Sequence, residues 1–263
     1  MYRYEDDSLM LHNDLYQINM AESYWNDGIH ERNAVFDLYF RNMPFGSGYA
    51  VFNGLKRMIQ FIENFHFSDS DIEYLQSIGY KNDFLKYLKN LKFTGNIRAM
   101  QEGELCFGNE PLLRVEAPLI QAQLIETILL NIVNFHTLIT TKASRIRQVA
   151  PQDTLMEFGT RRAQEIDAAV WGARAAYIGV FDSTSNVRAG KLFDIPVSGT
   201  HAHALVQTYG DEYKAFKIYA ERHKNCVFLV DTFHTLKSGV PTAIKVAKEL
   251  RSEERRVGKE CRL

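Results

Sequence analysis

The sequence predicts an α/β protein with an N-terminal α+β domain over residues 1–150, an incomplete parallel βα-barrel over 151–250 and a charged tail at 251–263. Up to about Ala150, alternating aromatic-rich segments are interleaved with helically spaced ones, the mixture expected of a sheet with helices beside it. After Pro151 the rhythm changes to short apolar runs separated by helical stretches. Each run ends in small or polar residues, which is how a parallel barrel presents its catalytic edge. Only about four such runs are present, whereas closing a barrel takes about six to eight strands.

Taken in order, Ala34 to Phe40 alternates like a strand, and Leu55 to Phe65 and Asp69 to Leu91 carry helical spacing with polar caps at Ser68 and Asp69. Asn96 to Gln101 and Leu112 to Glu116 read as further strands. Pro118 to Ile139 is the most apolar stretch. Gln121, Gln123, Glu126, Asn131, Asn134 and His136 interrupt it too often for a membrane span, so it reads as a long buried helix leading toward Arg147. The expected barrel strands are Leu155 to Phe158, Tyr177 to Phe181, Ile195 to Ser198 and Val227 to Val230, with helices between them. From Arg251 onward, apolar periodicity gives way to dense charge, read either as a solvated helix end or as a foreign tail on a truncated chain.

A hydrophobic fraction of 46% in 263 residues with a formal net charge of -1 describes a globular chain with nothing pointing to nucleic acid or a membrane surface. The start at Met1 to Asp7 lacks a basic and then apolar leader, so a cytoplasmic location is the expectation. Cys106, Cys226 and Cys261 are few and widely spaced, without metal-ligand spacing, and read as thiols.

The most informative motif is Ser198-Gly199-Thr200-His201-Ala202-His203, which follows the apolar run ending at Val197. A histidine a few residues past a strand, beside small residues, is placed to meet a ligand, and a neutral imidazole is a competent phosphoryl acceptor. Phe158-Gly159-Thr160-Arg161-Arg162 breaks another short strand into a hydroxyl and two guanidinium groups suited to a carboxylate or a phosphate. Asp14-Leu15-Tyr16-Gln17 and Phe45-Gly46-Ser47-Gly48 add polar and aromatic groups near the N-terminus, the latter read as a structural turn. Asp231, Thr232 and Lys237 follow the fourth run, where backbone amides and a lysine can hold phosphate; equally, they suit a turn leading into a helix with Pro241 at its start.

In this order along the chain, from about Leu11 to Leu250, these motifs resemble the nicotinate phosphoribosyltransferase family, a group of type II phosphoribosyltransferases. The resemblance implies that nicotinate and phosphoribosyl pyrophosphate are joined to give nicotinate mononucleotide, with ATP as co-substrate and Mg²⁺ as cofactor. It places the phosphorylated histidine at His203, a nicotinate-contacting hydroxyl at Thr200, a pyridine- and phosphoribose-lining cation at Arg161, and an aromatic at Tyr16 that stacks on nicotinate from the neighbouring subunit of a homodimer. It also implies further barrel and a second acidic phosphoribose-binding motif beyond the equivalent of Leu250, so that the chain reads as C-terminally truncated and inactive alone. A rival reading takes His201 and His203, two apart on a strand, as ligands of a metal-dependent amidohydrolase site completed by Asp231 and His234.

Overall fold

The structure, a computed structural model, describes residues 8–223 and 226–250. It is mixed α/β and mostly helical, and it divides into one compact unit ending at Pro196 and a second beginning at Val197.

In the first unit, α1 (Leu15–Asn26) leads to β1 (Asn33–Leu38), the short β2 (Ala50–Val51) and three helices, α2 (Leu55–Glu63), α3 (Asp69–Ser77) and α4 (Asn82–Asn90). Helix α3 begins at the Ser68 cap, where Ser68 Oγ accepts from Asp71 N–H and the Asp71 carboxylate accepts from Ser68 N–H. The helical spacing expected over Asp69 to Leu91 is divided between α3 and α4, because Gly79 reverses the chain at φ 106°, a conformation costly for other residues. Strands β3 (Asn96–Ala99) and β5 (Leu113–Pro118) complete an antiparallel sheet ordered β1-β5-β3, with Val115 opposite both Phe36 and Ile97. Strand β4 (Leu105–Cys106) pairs with β2, a two-residue pairing too short to show as alternation in the sequence.

Helix α5 (Leu119–Val149) organises this unit. By length and composition it could cross a membrane, yet Ile120, Leu124, Ile125, Leu129 and Val133 are buried in a core shared with Phe52, Phe61, Phe84 and Val115. The expected buried helix is therefore present and runs to Val149. Its polar residues are used internally: Thr141 Oγ1 accepts from Val51 N–H at 2.9 Å and Thr137 Oγ1 from Asn53 N–H at 3.1 Å, docking the β2–α2 connection against the helix. The unit continues past the end of α5 because α6 (Ile166–Ile178) packs along it; a Cβ at Gly179 would stand only 2.5 Å from Ala143 Cβ.

The expected barrel strands are corrected in all four places. Leu155 to Phe158 yields the two-residue β6 (Met156–Glu157), which pairs in parallel with β7 (Ser183–Thr184). Tyr177 to Phe181 is not a strand. The alanine-rich run before it carries α6 through Ile178, and Val180 at φ 73° turns the chain so that Phe181 N–H bonds back to Ala176 O. Ile195 to Ser198 follows α7 (Val187–Phe193) and holds a single bridge residue, Val197, instead of a strand. Val227 to Val230 forms no strand among the described residues; its Leu229 N–H instead donates to His201 Nε2 at 3.1 Å. The charged run Arg251 to Leu263 and the leader assessment at Met1 to Asp7 lie outside the described residues.

The second unit contains α8 (His203–Tyr209), α9 (Glu212–Arg222) and α10 (Val240–Glu249), the last entered through a π-helical turn at Thr235–Gly239. Val206, Ala215, Phe216, Ala220, Val230, Ala243 and Val246 form its core.

Candidate active site

In the second unit the 199–203 and 227–232 segments come together around two histidines with different environments. His201 is 7% exposed, with its ring among Phe216, Tyr219 and Phe228. Its Nδ1 donates to Ala202 O at 3.3 Å, since a carbonyl can only accept, and its Nε2 accepts from Leu229 N–H. Both contacts suit one neutral tautomer, and burial, reinforced by nearby His203, lowers its pKa against the weaker upward pull of the Ala202 carbonyl. His201 thus pins the Val227 to Val230 segment to the turn that precedes His203.

His203 opens α8, and its side chain is 49% exposed. Its Nδ1 lies 3.2 Å from Thr232 Oγ1 and its Nε2 3.9 Å from Asp231 Oδ1, so three of the expected residues stand together. The position of Asp231 and Thr232 depends on Gly239. A Cβ there would sit 1.8 Å from Val230 O, so only glycine lets the turn into α10 close onto the backbone just before Asp231. His234 caps that turn, its Nδ1 accepting from Lys237 N–H at 3.2 Å, and the Lys237 side chain is exposed. Thr200 does not cap α8, whose N-cap is Ala202; its hydroxyl donates to His201 O at 2.8 Å.

The geometry removes the basis of the amidohydrolase alternative. His201 and His203 are not two apart on a strand, because the second begins a helix, and both ring nitrogens of the first are engaged within the protein. Among the described residues no group of three or more His, Cys, Asp or Glu side chains stands together as a metal site.

Tyr16 and Arg161 belong to the first unit. Arg161 lies exposed on a 3-10 turn (Thr160–Arg162) that follows β6. Glu157 fastens this turn: its Oε1 accepts from Gly159 N–H and its Oε2 from Thr184 Oγ1 at 2.7 Å, joining the ends of β6 and β7. Arg162 lines a cavity of about 240 Å³ with Glu157, Gly159 and Phe135. Tyr16, 48% exposed on α1, lines a separate cavity of about 450 Å³ with Asp14, Tyr39, Phe40, Thr127 and Asn134. Partial desolvation and then the Glu126 and Asp14 carboxylates raise its phenol pKa. Helix α1 is keyed to α5 by fully buried Gln17, which accepts from Thr127 Oγ1 at 2.5 Å and donates to Gln123 O at 3.2 Å.

Glu157, Gly239 and the structural role of His201 went unread in the sequence. Glu157 lies within the expected strand Leu155 to Phe158, but nothing in its spacing says that its carboxylate folds back on the next turn. The Gly159 two residues later is the only trace.

Comparison with known proteins supplies the remaining finding. Residues 11–134 match the nicotinate phosphoribosyltransferase N-terminal domain, and residues 154–238 match the nicotinate phosphoribosyltransferase family domain. The chain is 65% identical over 249 residues to nicotinate phosphoribosyltransferase of Bacillus subtilis (strain 168), covering 94% of this chain and 51% of that protein. It is 47% identical over 201 residues to nicotinate phosphoribosyltransferase 2 of Arabidopsis thaliana, covering 75% of this chain and 36% of that protein. The chain thus spans about half the length of the Bacillus relative and about a third of the Arabidopsis one. The crystal structure of human nicotinic acid phosphoribosyltransferase superposes with a TM-score of 0.82 at 33% identity, covering 90% of this chain and 57% of that one. A nicotinate-nucleotide pyrophosphorylase from Pyrococcus furiosus shares the fold, with a TM-score of 0.75 at 23% identity over 94% of this chain and 56% of that one. Two family domains in sequence order, matched across most of its length, show that this chain belongs to the nicotinate phosphoribosyltransferase family.

Proposed function

We propose that the full-length protein transfers phosphoribose from phosphoribosyl pyrophosphate to nicotinate, forming nicotinate mononucleotide in NAD salvage, with ATP consumed through phosphorylation of His203. The observation that carries this reading is the exposed His203 imidazole, held by Thr232 at Nδ1 and flanked by Asp231, at the start of α8 in a chain of this family. Thr232 Oγ1 can donate or accept at Nδ1 according to the tautomer, and the ring nitrogen left without a proton is the one that takes the phosphoryl group. In the transfer step, positive charge grows on the ribose as pyrophosphate leaves, so the residues of the site act by fixing orientation and offering charge. Arg161 holds the nicotinate carboxylate, Thr200 releases its carbonyl contact to meet the ring, and Asp231, Thr232 and the Lys237 ammonium face the phosphates. Asp231, the carboxylate beside His203, would hold Mg²⁺, which would supply positive charge to the departing pyrophosphate.

Two parts of this reading concern assembly. Tyr16 serves the site of the neighbouring subunit of a homodimer, consistent with its lying half exposed on α1. The parallel β6–β7 pair is the start of a βα-barrel completed by sequence that corresponds to the rest of the relatives' length. A cytoplasmic location goes with it, where a free thiol such as that of Cys106 stays reduced.

The test is to incubate the full-length protein with γ-labelled ATP and compare His203→Ala with His203→Gln and His201→Ala. Acid-labile label should vanish in both His203 variants. Normal labelling of His203→Ala would overturn the reading.

A further inference from the structure

The turn that carries Arg161 has little regular structure to hold it. Strand β6 is two residues long and the 3-10 turn Thr160–Arg162 is three, so backbone pairing alone leaves the reach of the exposed Arg161 weakly fixed. A side-chain clasp supplies the missing constraint. The half-buried Glu157 carboxylate accepts Gly159 N–H at Oε1, inside the turn, and the Thr184 hydroxyl at Oε2, 2.7 Å away on the neighbouring β7. An ionised acceptor makes each of these bonds stronger than a neutral pair would be. A Cβ at position 159 would stand 2.6 Å from Oε1, so the absence of a side chain there lets the carboxylate settle on the turn.

The far end of the clasp is itself anchored. Thr184 is fully buried, and its N–H donates to Pro196 O at 3.0 Å. Its hydroxyl oxygen, while donating to Glu157, accepts Asn186 N–H at 3.0 Å. Asn186 in turn caps α7, its Oδ1 accepting Ala189 N–H at 2.9 Å. The Glu157 carbonyl adds a backbone tie by accepting Ser185 N–H at 2.9 Å. One carboxylate therefore fastens the Arg161 turn to the capped start of α7.

We propose that Glu157 is a positioning residue for acid-over-amide specificity, holding the turn so that the Arg161 guanidinium meets the nicotinate carboxylate; this rests on the reaction and the role of Arg161 proposed above. The test measures kcat/KM of the full-length protein for nicotinate and for nicotinamide, with phosphoribosyl pyrophosphate, ATP and Mg²⁺. Glu157→Ala should lower the value for nicotinate about tenfold, as misplacing a binding group does, and leave the value for nicotinamide unchanged. A merely loosened fold would lower both alike. Thr184→Val removes the hydroxyl while keeping the shape and should give the same split, which keeps the test decisive if Glu157→Ala does not fold. Glu157→Gln retains an acceptor for Gly159 N–H and an amide to bond Thr184, so it should restore most of the lost nicotinate activity. In an Arg161→Gln background Glu157→Ala should cost nothing further, because the group it positions is gone. Unchanged nicotinate kinetics in Glu157→Ala or Thr184→Val, equal losses for both substrates, Glu157→Gln as damaging as Glu157→Ala, or additive losses with Arg161→Gln would each overturn the proposal and leave the reaction standing. A wild type that forms no nicotinate mononucleotide, or full nicotinate activity in Arg161→Gln, would instead overturn the reading it rests on, and the proposal with it.

Discussion

Replacing Arg174 with methionine should unfold the first unit more readily than any surface change, and the structure gives the size of the effect. Arg174, on α6, makes two hydrogen bonds to Glu102, Nη1 to Oε1 at 3.1 Å and Nη2 to Oε2 at 2.6 Å, and the two side chains are only 13% and 16% exposed. The same Oε1 accepts Gly54 N–H at 3.2 Å and Lys56 N–H at 3.1 Å, so one carboxylate ties α6 to the start of α2. Removing one partner of a buried pair costs about 3–5 kcal/mol. Two backbone donors remain to Glu102, which brings the expectation to about 2–4 kcal/mol at neutral pH. At roughly 3 °C per kcal/mol for a chain of this size, Tm should fall by about 6–12 °C.

The pH dependence follows from the sign of the Glu102 shift. Burial pushes its carboxyl up, but the hydrogen bonds from Arg174, Lys56 and Gly54 outweigh it and hold the folded pKa below the ordinary glutamate value. The stabilisation is therefore fully present above that ordinary value, about 4.3, and is lost as pH falls through the folded pKa. Thermal unfolding of wild type, Arg174→Met and the double variant Glu102→Gln/Arg174→Met measures this. The double variant should recover part of the loss, because no buried charge is left unpaired. A penalty that stays the same at about pH 3, below the ordinary glutamate range, would refute the reasoning. So would a fall in Tm at neutral pH of under about 2 °C, well short of the pair's expected worth.

Three further outcomes are expected. His201→Phe should cost about 1–3 kcal/mol by leaving Leu229 N–H without its acceptor. Because burial depresses the His201 pKa, its stabilisation is complete above the ordinary histidine range and declines as pH falls through it; urea midpoints at about pH 7.5 and 5.5 should converge in the variant relative to wild type. Arg161→Gln in the full-length protein should lower kcat/KM for nicotinate more than tenfold, the worth of a charge-assisted pair of about 2 kcal/mol, and leave nicotinamide turnover unchanged; equal losses for acid and amide would show that Arg161 does not read the carboxylate. The 263-residue chain alone should form no nicotinate mononucleotide from nicotinate, phosphoribosyl pyrophosphate, ATP and Mg²⁺, since Phe233 and Leu236 lie 59% and 72% exposed beside the expected phosphate residues; robust turnover would show that the site is complete without further sequence.

The family, the long buried helix and strands β1, β3 and β5 could all be read from the amino-acid order. Each rests on local or repeating signals: motif sequence, apolar content over many residues, and alternation over six. The Tyr177 to Phe181 expectation failed because a short run of aromatic and β-branched residues looks the same at a helix C-terminus as in a strand. The alanines packed on α5 and the turn at Val180 decide between them, and both are tertiary facts. Val227 to Val230 failed for a similar reason, since its Leu229 donor is taken by an imidazole 28 residues away. Composition could not rank the two histidines of the His-x-His pair either. Residues two apart in one motif divide into a buried, neutral anchor and an exposed imidazole beside Thr232 and Asp231, because the chain turns into α8 between them. The sequence alone determined which chemical groups are available and the family to which they belong. Packing alone decided which of them stay open to a ligand and which hold the fold, as the exposed ring of His203 and the engaged Nε2 of His201 show, because a hydrogen-bond partner distant in the chain leaves no trace in local spacing.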